Sequence, residues 1–361
     1  MTEILFRLLK EDDIDAVNTF YNSYHHAGRT REKFNWEFND SPHGKGIYIL
    51  ALNGNTGNII GIQAGIPVIF IDTDGKEVMT VKSEDTLIDV DACADFRPRD
   101  VFKELYNWFF EECRRRGVSC VWGFTWVIKS LKRVGCEVPF RSGQKILVLK
   151  PMKSYSILSK LNPKNTFREK FLIVMMVCVS RIKGFQGVLL MFHRKDLVMN
   201  DSMPCNTGLF REAAAGEQLF FIRQDERYFR WRLEQNPYAL KYRVLNFMKD
   251  SRLRAQVIYS INEEGQAFIE QTLFSPELER REKKFIIRAV VSKLKEMHAA
   301  HIRFMVFDRN KINREESELL DYSGFLKVKP GMGVLYRNLD EKETVKPEQI
   351  VFSRIYTQGH S

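Results

Sequence analysis

The chain has 361 residues, of which 44% are hydrophobic, and carries a formal net charge of +10. This composition excludes a disordered or collagen-like chain and predicts one large globular domain or two of ordinary size. No run approaches the ~18 apolar residues of a membrane span, the charged first residues exclude a signal peptide, and six cysteines without a CxxC pair predict a reduced, cytoplasmic protein.

The first half of the chain predicts alternating strands and helices. A strand is followed by a helix that Asp12 or Asp13 caps, and two hairpins, a further strand, a long helix, a strand, a short helix and a last strand follow. The predicted bounds are 4–9, 14–24, 47–52 with 59–68, 69–71 with 78–81, 86–92, 101–116, 118–124, 128–134 and 144–149.

The long helix carries the clearest pattern. Apolar residues recur at one-turn spacing from Val101 to Cys113, Asp100 is placed to cap the start, and Gly117 ends the helix. The second half repeats this plan. Its predicted elements are a hairpin at 243–247 and 254–261, a strand at 267–274, a helix at 285–297, a strand at 302–307, a helix at 315–322 and a strand at 334–337.

Most of the positive charge lies between the halves, in residues 150–196, where ten basic residues face two acidic ones. The rest of the chain is nearly balanced, which argues against a protein that binds nucleic acid over a wholly basic face. The segment also contains apolar runs at 171–179 and 188–192. It predicts either a buried connecting helix or a surface that contacts anionic lipid at the inner face of the membrane.

A short aromatic motif occurs twice and indicates an internal duplication. Phe34-Asn-Trp36-Glu-Phe38-Asn-Asp-Ser-Pro42 is echoed by Phe229-Arg-Trp231-Arg-Leu233-Glu-Gln-Asn-Pro237. The two Trp residues are read either as packing groups or as a sugar-stacking platform. His298 and His301 are read as surface histidines, and no spacing predicts a metal site.

The order of elements, the repeated Trp motif and the pair Arg7 and Asp13 resemble the GNAT (GCN5-related N-acetyltransferase) superfamily. In particular, the chain is similar to tandem-GNAT proteins of bacterial polysaccharide biosynthesis. The resemblance implies an α/β (α+β) fold with two tandem domains, each a mixed, mainly antiparallel twisted sheet flanked by helices. The implied division is an N-terminal domain at 1–150, a basic linker at 151–205, a degenerate C-terminal domain at 206–340 and a tail at 341–361.

The same resemblance implies acetyl-CoA as cosubstrate and a pyrophosphate loop before the long helix. Family members have glycines in this loop, whereas Pro98 and Asp100 occupy those positions here. Asp100 places a carboxylate where a phosphate would bind, and Arg97 and Arg99 compensate in charge. The cofactor-binding residues implied are Val90, which would hold the thioester carbonyl, and Arg97, Pro98, Arg99, Asp100, Val101 and Phe102.

Acyl transfer also needs a base for the amine, and the resemblance places it near the fourth strand. Asp89 and Asp91 are the predicted catalytic residues because they share one face of a strand at 86–92, and Glu84 and Asp85 are further candidates. The Tyr that protonates the leaving thiolate in the family is replaced by Leu131 in the first half and by Leu320 in the second.

These features predict an acetyl-CoA-dependent N-acyltransferase that acetylates an amino sugar or a similar small amine in envelope polysaccharide synthesis. A non-catalytic binding or scaffold protein with degenerate GNAT domains is the first alternative. A tandem-GNAT aminoacyl transferase that uses tRNA is the second, and tRNA is the nucleic acid partner that this alternative requires.

Overall fold

The computed structural model divides the chain into two compact units. The first comprises 1–140, 227–238 and 332–347, and the second comprises 141–226, 239–331 and 348–361. The structure describes residues 3–26, 28–161, 171, 174–175, 178–179, 197–201, 207–238, 241–328, 331–342 and 344–356.

The first unit contains one mixed sheet with helices on both faces. Its strands are β1 (Ile4–Leu8), β2 (Ile47–Asn53), β3 (Ile59–Asp72), β4 (Glu77–Ile88), β5 (Cys120–Thr125) and, from the C-terminal part of the chain, β14 (Gly333–Asn338). Its helices are α1 (Ile14–His25), α2 (Arg31–Phe34), α3 (Val90–Ala94), α4 (Val101–Arg115) and α5 (Ile128–Arg133), with α8 (Glu226–Phe229) at its border.

The strand order in this sheet is β1-β2-β3-β4-β5-β14. All neighbouring pairs are antiparallel except β4 and β5, which are parallel. Leu105 and Phe109 of α4 are fully buried in the core on one face, whereas Ile14 and Phe34 belong to a separate core with α1 and α2. The sheet therefore buries both faces, which explains why β2 and β3 are apolar at nearly every position.

The second unit repeats this arrangement around its own sheet, in the order β13-β6-β12-β11-β10-β9-β7. The strands are β6 (Gly143–Val148), β7 (Val198–Asn200), β9 (Lys241–Lys249), β10 (Arg252–Ile261), β11 (Gln266–Phe274), β12 (His301–Val306) and β13 (Leu326–Lys327). β8 (Phe220–Ile222) also lies in this unit of the chain but is not one of the seven strands of this sheet. The helices are α6 (Pro151–Leu161), α7 (Thr207–Ala213), α9 (Arg280–Glu296) and α10 (Lys311–Tyr322).

The last strand of each half pairs in the sheet of the other half. β6 follows α5 along the chain, but it pairs with β12, and β14 pairs with β5. A domain boundary at residue 150 would place these two strands in the wrong units. Residues 141–150 fold with the second unit, and residues 332–347 fold with the first.

The two Trp motifs form matching helical turns that meet inside the first unit. Each is a short α-helix that continues as a π-helical turn, at Asn35–Asn39 and at Arg230–Glu234. The indole Nε1 of Trp36 donates to the Trp231 carbonyl at 2.9 Å, and Trp231 Nε1 donates to the Trp36 carbonyl at 2.8 Å. The rings stack with centroids 4.8 Å apart. Both residues are buried packing groups.

Three predictions about local structure are wrong. The strand predicted at 86–92 does not form, since β4 runs unbroken from Glu77 to Ile88 and α3 follows. Asp13 occupies the N-cap position of α1 but makes no side-chain capping bond there, because its carboxylate accepts from Arg7 Nη2 at 2.8 Å and from the Lys10 amide at 2.7 Å. His301 is not a surface residue, since it is fully buried at the start of β12.

Candidate active site

The parallel strands β4 and β5 pair at three positions and then separate. Their ladder joins Thr80 to Cys120, Val81 to Val121 and Lys82 to Trp122. At Gly123 the strands are still close, because a Cβ there would lie 3.1 Å from the Ser83 carbonyl oxygen. Farther along, β4 pairs with β3 and β5 pairs with β14, but within the described chain β4 and β5 share no further ladder position. Strands that separate in this way can present peptide groups to a ligand.

A bulge in β4 lies directly beyond the last paired residue. Ile62 of β3 faces Leu87 and Ala64 faces Glu84, so that Asp85 and Thr86 together oppose Gln63. Asp85 has a φ of +44°, in the left-handed region. Bulges of this kind change the direction of side chains along a strand and occur often beside active sites.

Asp85 is held below the opening by an ion pair with Arg29 and by the Tyr48 hydroxyl, which donates at 3.0 Å. The Arg29 and Asp85 side chains are only 2% and 6% exposed. Arg29 Nε also donates to Asn18 Oδ1 at 2.8 Å. A buried charge needs such partners to remain in the fold. Because its side chain is buried and Oδ2 accepts from both Arg29 and Tyr48, Asp85 supports the bulge and does not face a ligand.

Glu84 is the carboxylate that remains accessible at the opening. It forms an ion pair with Lys82, yet 22% of its side chain is exposed, whereas the Lys82 side chain is only 6% exposed. Burial raises the pKa of Glu84, and the neighbouring Lys82 opposes that shift. A carboxyl group with a raised pKa is suited to accept a proton near neutral pH.

Two more ionisable side chains, Glu37 and Tyr106, lie close to the bulge in β4. Glu37, in the π-helical turn, is 2% exposed, and burial raises its pKa well above the usual value, with Asp85 and Glu84 adding to the shift. On the other face of the sheet, Tyr106 of α4 makes a 2.8 Å hydrogen bond with Thr86 Oγ1. Thr86 Oγ1 also donates to Gln63 Oε1 at 2.5 Å. The bulge is thus supported from both faces.

The predicted catalytic residues Asp89 and Asp91 do not reach this opening. Asp89 is the N-cap of α3, and its Oδ1 accepts from the Ala92 amide at 2.9 Å. Asp91 and Val90 are exposed in the first turn of that helix. The shared strand face proposed for the two carboxylates is wrong, because the N-cap bond at Asp89 turns the chain into a helix where a strand was expected.

The predicted cofactor loop satisfies its own polar groups. Asp100 caps α4 by accepting from the Lys103 amide at 3.1 Å, as expected, and forms an ion pair with Arg133. Arg99 Nε donates to Glu104 Oε1 at 3.0 Å. Of the remaining predicted residues, Arg97 and Pro98 are exposed, Val101 is buried in the core, and the Phe102 ring packs 4.9 Å from that of Tyr106.

Neither half provides a Tyr at the position that the family uses to protonate the thiolate. Leu131 and Leu320 are both buried in hydrophobic cores, at 5% and 1% exposure. A side chain in such a position packs and does not donate a proton.

The corresponding opening of the second unit is filled by the chain itself. β11 and β12 pair in parallel as far as Ile269 and Phe304, and β11 has a bulge at Glu270. Glu270 is fully buried and binds Arg354 Nη1 through Oε2 at 2.7 Å, while the Arg354 guanidinium lies 3.7 Å from the Phe268 ring centre. The cavity that remains measures about 10 Å³, which is room for roughly one water molecule.

The start of α9, the long helix of the second unit, is also capped by acidic residues. Glu279 and Glu282 form a capping box there. A groove of about 600 Å³ lies beside this helix and is lined by three basic and three acidic residues, among them Lys283 and Glu315, which pair at 2.6 Å. This balance of charge does not favour binding of an anion.

No protein-family model matches the sequence, and a search of curated proteins finds no relative. Solved structures do match. A probable N-acyltransferase from Enterococcus faecalis aligns with a TM-score of 0.63 and 8% identity over 95% of this chain and 74% of its own. A GCN5-related N-acetyltransferase from Anabaena variabilis gives 0.61 and 7%, over 94% and 73%.

A tandem GNAT protein from the clavulanic acid biosynthesis pathway aligns over 94% of this chain and 99% of its own, with a TM-score of 0.54 and 9% identity. The fold is therefore GNAT-like, with two mixed sheets in a tandem arrangement. At this low identity the comparison establishes the fold, and the chemistry must be argued from the residues of this chain.

The sequence pattern indicated Glu84 and Asp85 only as further candidates for the base. It gave no indication of Arg29 or Tyr48, and Glu37 was not recognised. One signal was present. Glu37 lies between Trp36 and Phe38 in the repeated aromatic motif, and a charged residue between two large aromatic residues indicates a buried polar cluster.

Proposed function

We propose that the protein is an acyl-CoA-dependent N-acyltransferase whose reaction takes place where β4 and β5 separate in the first unit. The observation that carries the proposal is the accessible carboxylate of Glu84 at this opening, directly beyond the last position at which β4 and β5 pair. The GNAT-like fold supports the same class of reaction. We further propose acetyl-CoA as the cosubstrate and an amino sugar of envelope polysaccharide synthesis as the acceptor.

In the proposed reaction, the amine nitrogen of the acceptor attacks the thioester carbonyl carbon, and Glu84 takes the proton that the nitrogen loses. The tetrahedral intermediate collapses to an amide, and the C–S bond breaks to release the CoA thiolate. The thiolate takes its proton from water, because Leu131 occupies the position of the usual acid. Positioned proton transfer of this kind contributes about 10²–10⁴ in rate.

The pyrophosphate of the cosubstrate would bind at the start of α4. Asp100 occupies an amide there, so binding requires this carboxylate to move away, and Arg97, Arg99 and Arg133 supply the compensating charge. We place the pyrophosphate at the N-terminus of α4 in the first unit and not at the N-terminus of α9 in the second, because two carboxylates cap α9.

Isothermal titration with acetyl-CoA and with CoA tests the proposal directly. We expect binding of both, and release of free thiol when an amino sugar is added. Glu84→Gln should bind acetyl-CoA normally but lose at least about 100-fold in turnover. Glu111→Gln, the same change at an exposed position of α4, should match the wild type. Absence of heat at millimolar acetyl-CoA would reject the proposal.

A second candidate is a non-catalytic binding protein on the same scaffold. The observation in its favour is that the Asp100 carboxylate already accepts a hydrogen bond from the Lys103 amide at the start of α4, where a phosphate would bind. This candidate predicts that Asp100→Gly changes the stability of the fold and produces neither CoA binding nor turnover. Binding that strengthens in Asp100→Gly would instead favour the enzyme.

A further inference from the structure

Positive charge is concentrated at 150–196 in the sequence, but most of that segment lies outside the residues that the structure describes. The connecting helix or lipid-binding surface predicted there therefore stays a prediction. Within the described residues, every helix is too short or too polar to cross a membrane. A different excess of positive charge, smaller and buried, lies on the sheet of the second unit.

Arg303 is the origin of this excess. It is on β12, between β6 and β11, and its neighbours in the two ladders are Ile146 and Phe268. Ile302 and Phe304 belong to the hydrophobic core on one face of the sheet, so Arg303 lies on the opposite face. A guanidinium stays charged in such a place, and a buried charge is costly unless a group of opposite charge is near.

The carboxylate in this region is already paired with a second arginine. Glu270 is fully buried, and its Oε2 accepts from Arg354 Nη1 at 2.7 Å. Its Oε1 accepts from the same Arg354 nitrogen and from Ser260 Oγ. Arg303 Nη2 instead donates to a neutral group, Gln144 Oε1, at 2.9 Å. Among the residues that the structure describes, no carboxylate forms an ion pair with Arg303.

The pKa values on this face agree with an uncompensated charge. Burial and the neighbouring charge of Arg354 lower the pKa of Arg303 to about 10, which still leaves it charged at neutral pH. His301, two residues earlier on the same strand, is fully buried. Burial lowers the pKa of His301 to about 4, and the charge of Arg303 contributes to that shift. Negative charge at this position would therefore stabilise the second unit.

The two arginines line one small cavity of about 10 Å³, together with Gln144 and Phe268. The Phe268 ring lies against both cations, with its centre 5.6 Å from the Arg303 guanidinium carbon and 3.7 Å from that of Arg354. Arg354 and Phe268 are buried, whereas Arg303 and Gln144 are half-buried and form the side nearer to solvent. The volume is that of about one water molecule, which excludes a phosphate or a large organic anion.

We propose that the cavity lined by Arg303 and Arg354 binds a single halide ion, in practice chloride. The donors would be the guanidinium N–H groups and Nε2 of Gln144, whose Oε1 already accepts from Arg303. A halide ion is little larger than a water molecule and has no substituents, so small movements of the two half-buried side chains admit it. A water molecule would also fit, but it would leave the charge of Arg303 without compensation.

Thermal unfolding of the full-length protein tests this inference. Sodium gluconate is replaced by sodium chloride or sodium bromide at a constant ionic strength of about 0.15 M, so that general screening of charge does not change. Gluconate is too large for the cavity and serves as the reference anion. An ion that binds only the folded state raises the unfolding temperature, and we expect a rise of about 2–4 °C in either halide.

Variants separate the proposed site from other effects of salt. Arg303→Gln should lose the halide shift, and in gluconate it should unfold at or above the wild-type temperature, because it removes a buried charge without a partner. Arg281→Gln is the matched control, since Arg281 is an exposed arginine of the same unit, and it should keep the full shift. Gln144→Leu keeps the charge of Arg303 but removes one donor, and should reduce the shift by about half.

Bromide also allows the ion to be located directly. Crystals of the wild type grown in bromide should give an anomalous scattering peak in contact with Arg303 and Arg354, and crystals of Arg303→Gln should lack it. Three results would overturn the inference: equal wild-type unfolding temperatures in gluconate and halide, a halide shift that Arg303→Gln retains in full, or bromide peaks only at other positions. A larger shift in acetate than in chloride would assign the cavity to a carboxylate and would also overturn it. None of these measurements involves acetyl-CoA, so the proposed function is tested separately.

Discussion

The reciprocal pair of Trp36 and Trp231 allows a sharp test of the packing in the first unit. Each indole donates one hydrogen bond to the backbone carbonyl of the other residue, and both rings are buried. Replacing Trp36 by Phe keeps an aromatic ring in the stack but leaves the Trp231 carbonyl without its donor. An unsatisfied buried group costs about 1–3 kcal/mol, so we expect Trp36→Phe to lower the free energy of unfolding by about 1.5 kcal/mol.

Because the arrangement is symmetric, Trp231→Phe should cost about the same. Replacement by Ala removes the whole side chain and should cost about 3–5 kcal/mol at either position. The two Ala changes remove the same ring stack, which contributes about 0.5–1.5 kcal/mol. The double variant Trp36→Ala/Trp231→Ala should therefore cost about 1 kcal/mol less than the sum of the single variants.

Urea unfolding followed by far-ultraviolet circular dichroism is the appropriate assay, because this signal depends little on Trp emission. Trp126→Phe is the control, since Trp126 is 65% exposed and should lose less than about 0.5 kcal/mol. If Trp36→Phe proves no more destabilising than Trp126→Phe, the buried reciprocal hydrogen bonds are not present in solution.

Three further predictions follow from single residues. Burial lowers the pKa of His301 to about 4, so the unfolded chain binds a proton first as the pH falls below about 6.5. Stability should decline between those values by up to about 3 kcal/mol, and thermal unfolding of His301→Phe should lack this decline. Asp100→Ser keeps an N-cap without the charge, so calorimetry should show about tenfold tighter CoA binding, whereas Asp100→Ala should lose about 1 kcal/mol of stability. Since the pKa of Glu84 is raised, turnover should increase with pH as Glu84 loses its proton, and a pH profile of Glu84→Gln should lack that limb.

The elements with strong local signals could be predicted from the sequence. The helix predicted to start at Val101 does so, because its apolar spacing, the Asp100 cap and Gly117 all agree. The prediction of a strand at 86–92 was wrong because two local tendencies compete in this segment. Its apolar residues favour a strand, but Asp89 can bond to a following amide, and that bond determined the outcome.

The active-site geometry required information that is not local. The opening depends on where β4 and β5 stop pairing, and the support of Asp85 comes from Arg29, which is distant in sequence. Charged residues within the strand, such as the ion-paired Lys82 and Glu84, also interrupt the hydrophobic alternation by which β4 would have been recognised as one strand. The partner of the last strand in each half was likewise unpredictable, because a strand pattern does not specify its neighbour.

The exchange of β6 and β14 has a consequence for how this protein is made. During synthesis, β5 remains an open sheet edge until the ribosome has delivered residues 333–338, and an open edge is a site for mispairing with other chains. A fragment that ends near residue 150 would keep that edge open and would carry β6 without its partner β12. The two halves can therefore neither mature nor be lost independently, and a gene truncated between them would yield an aggregating product in place of a simpler single-domain protein.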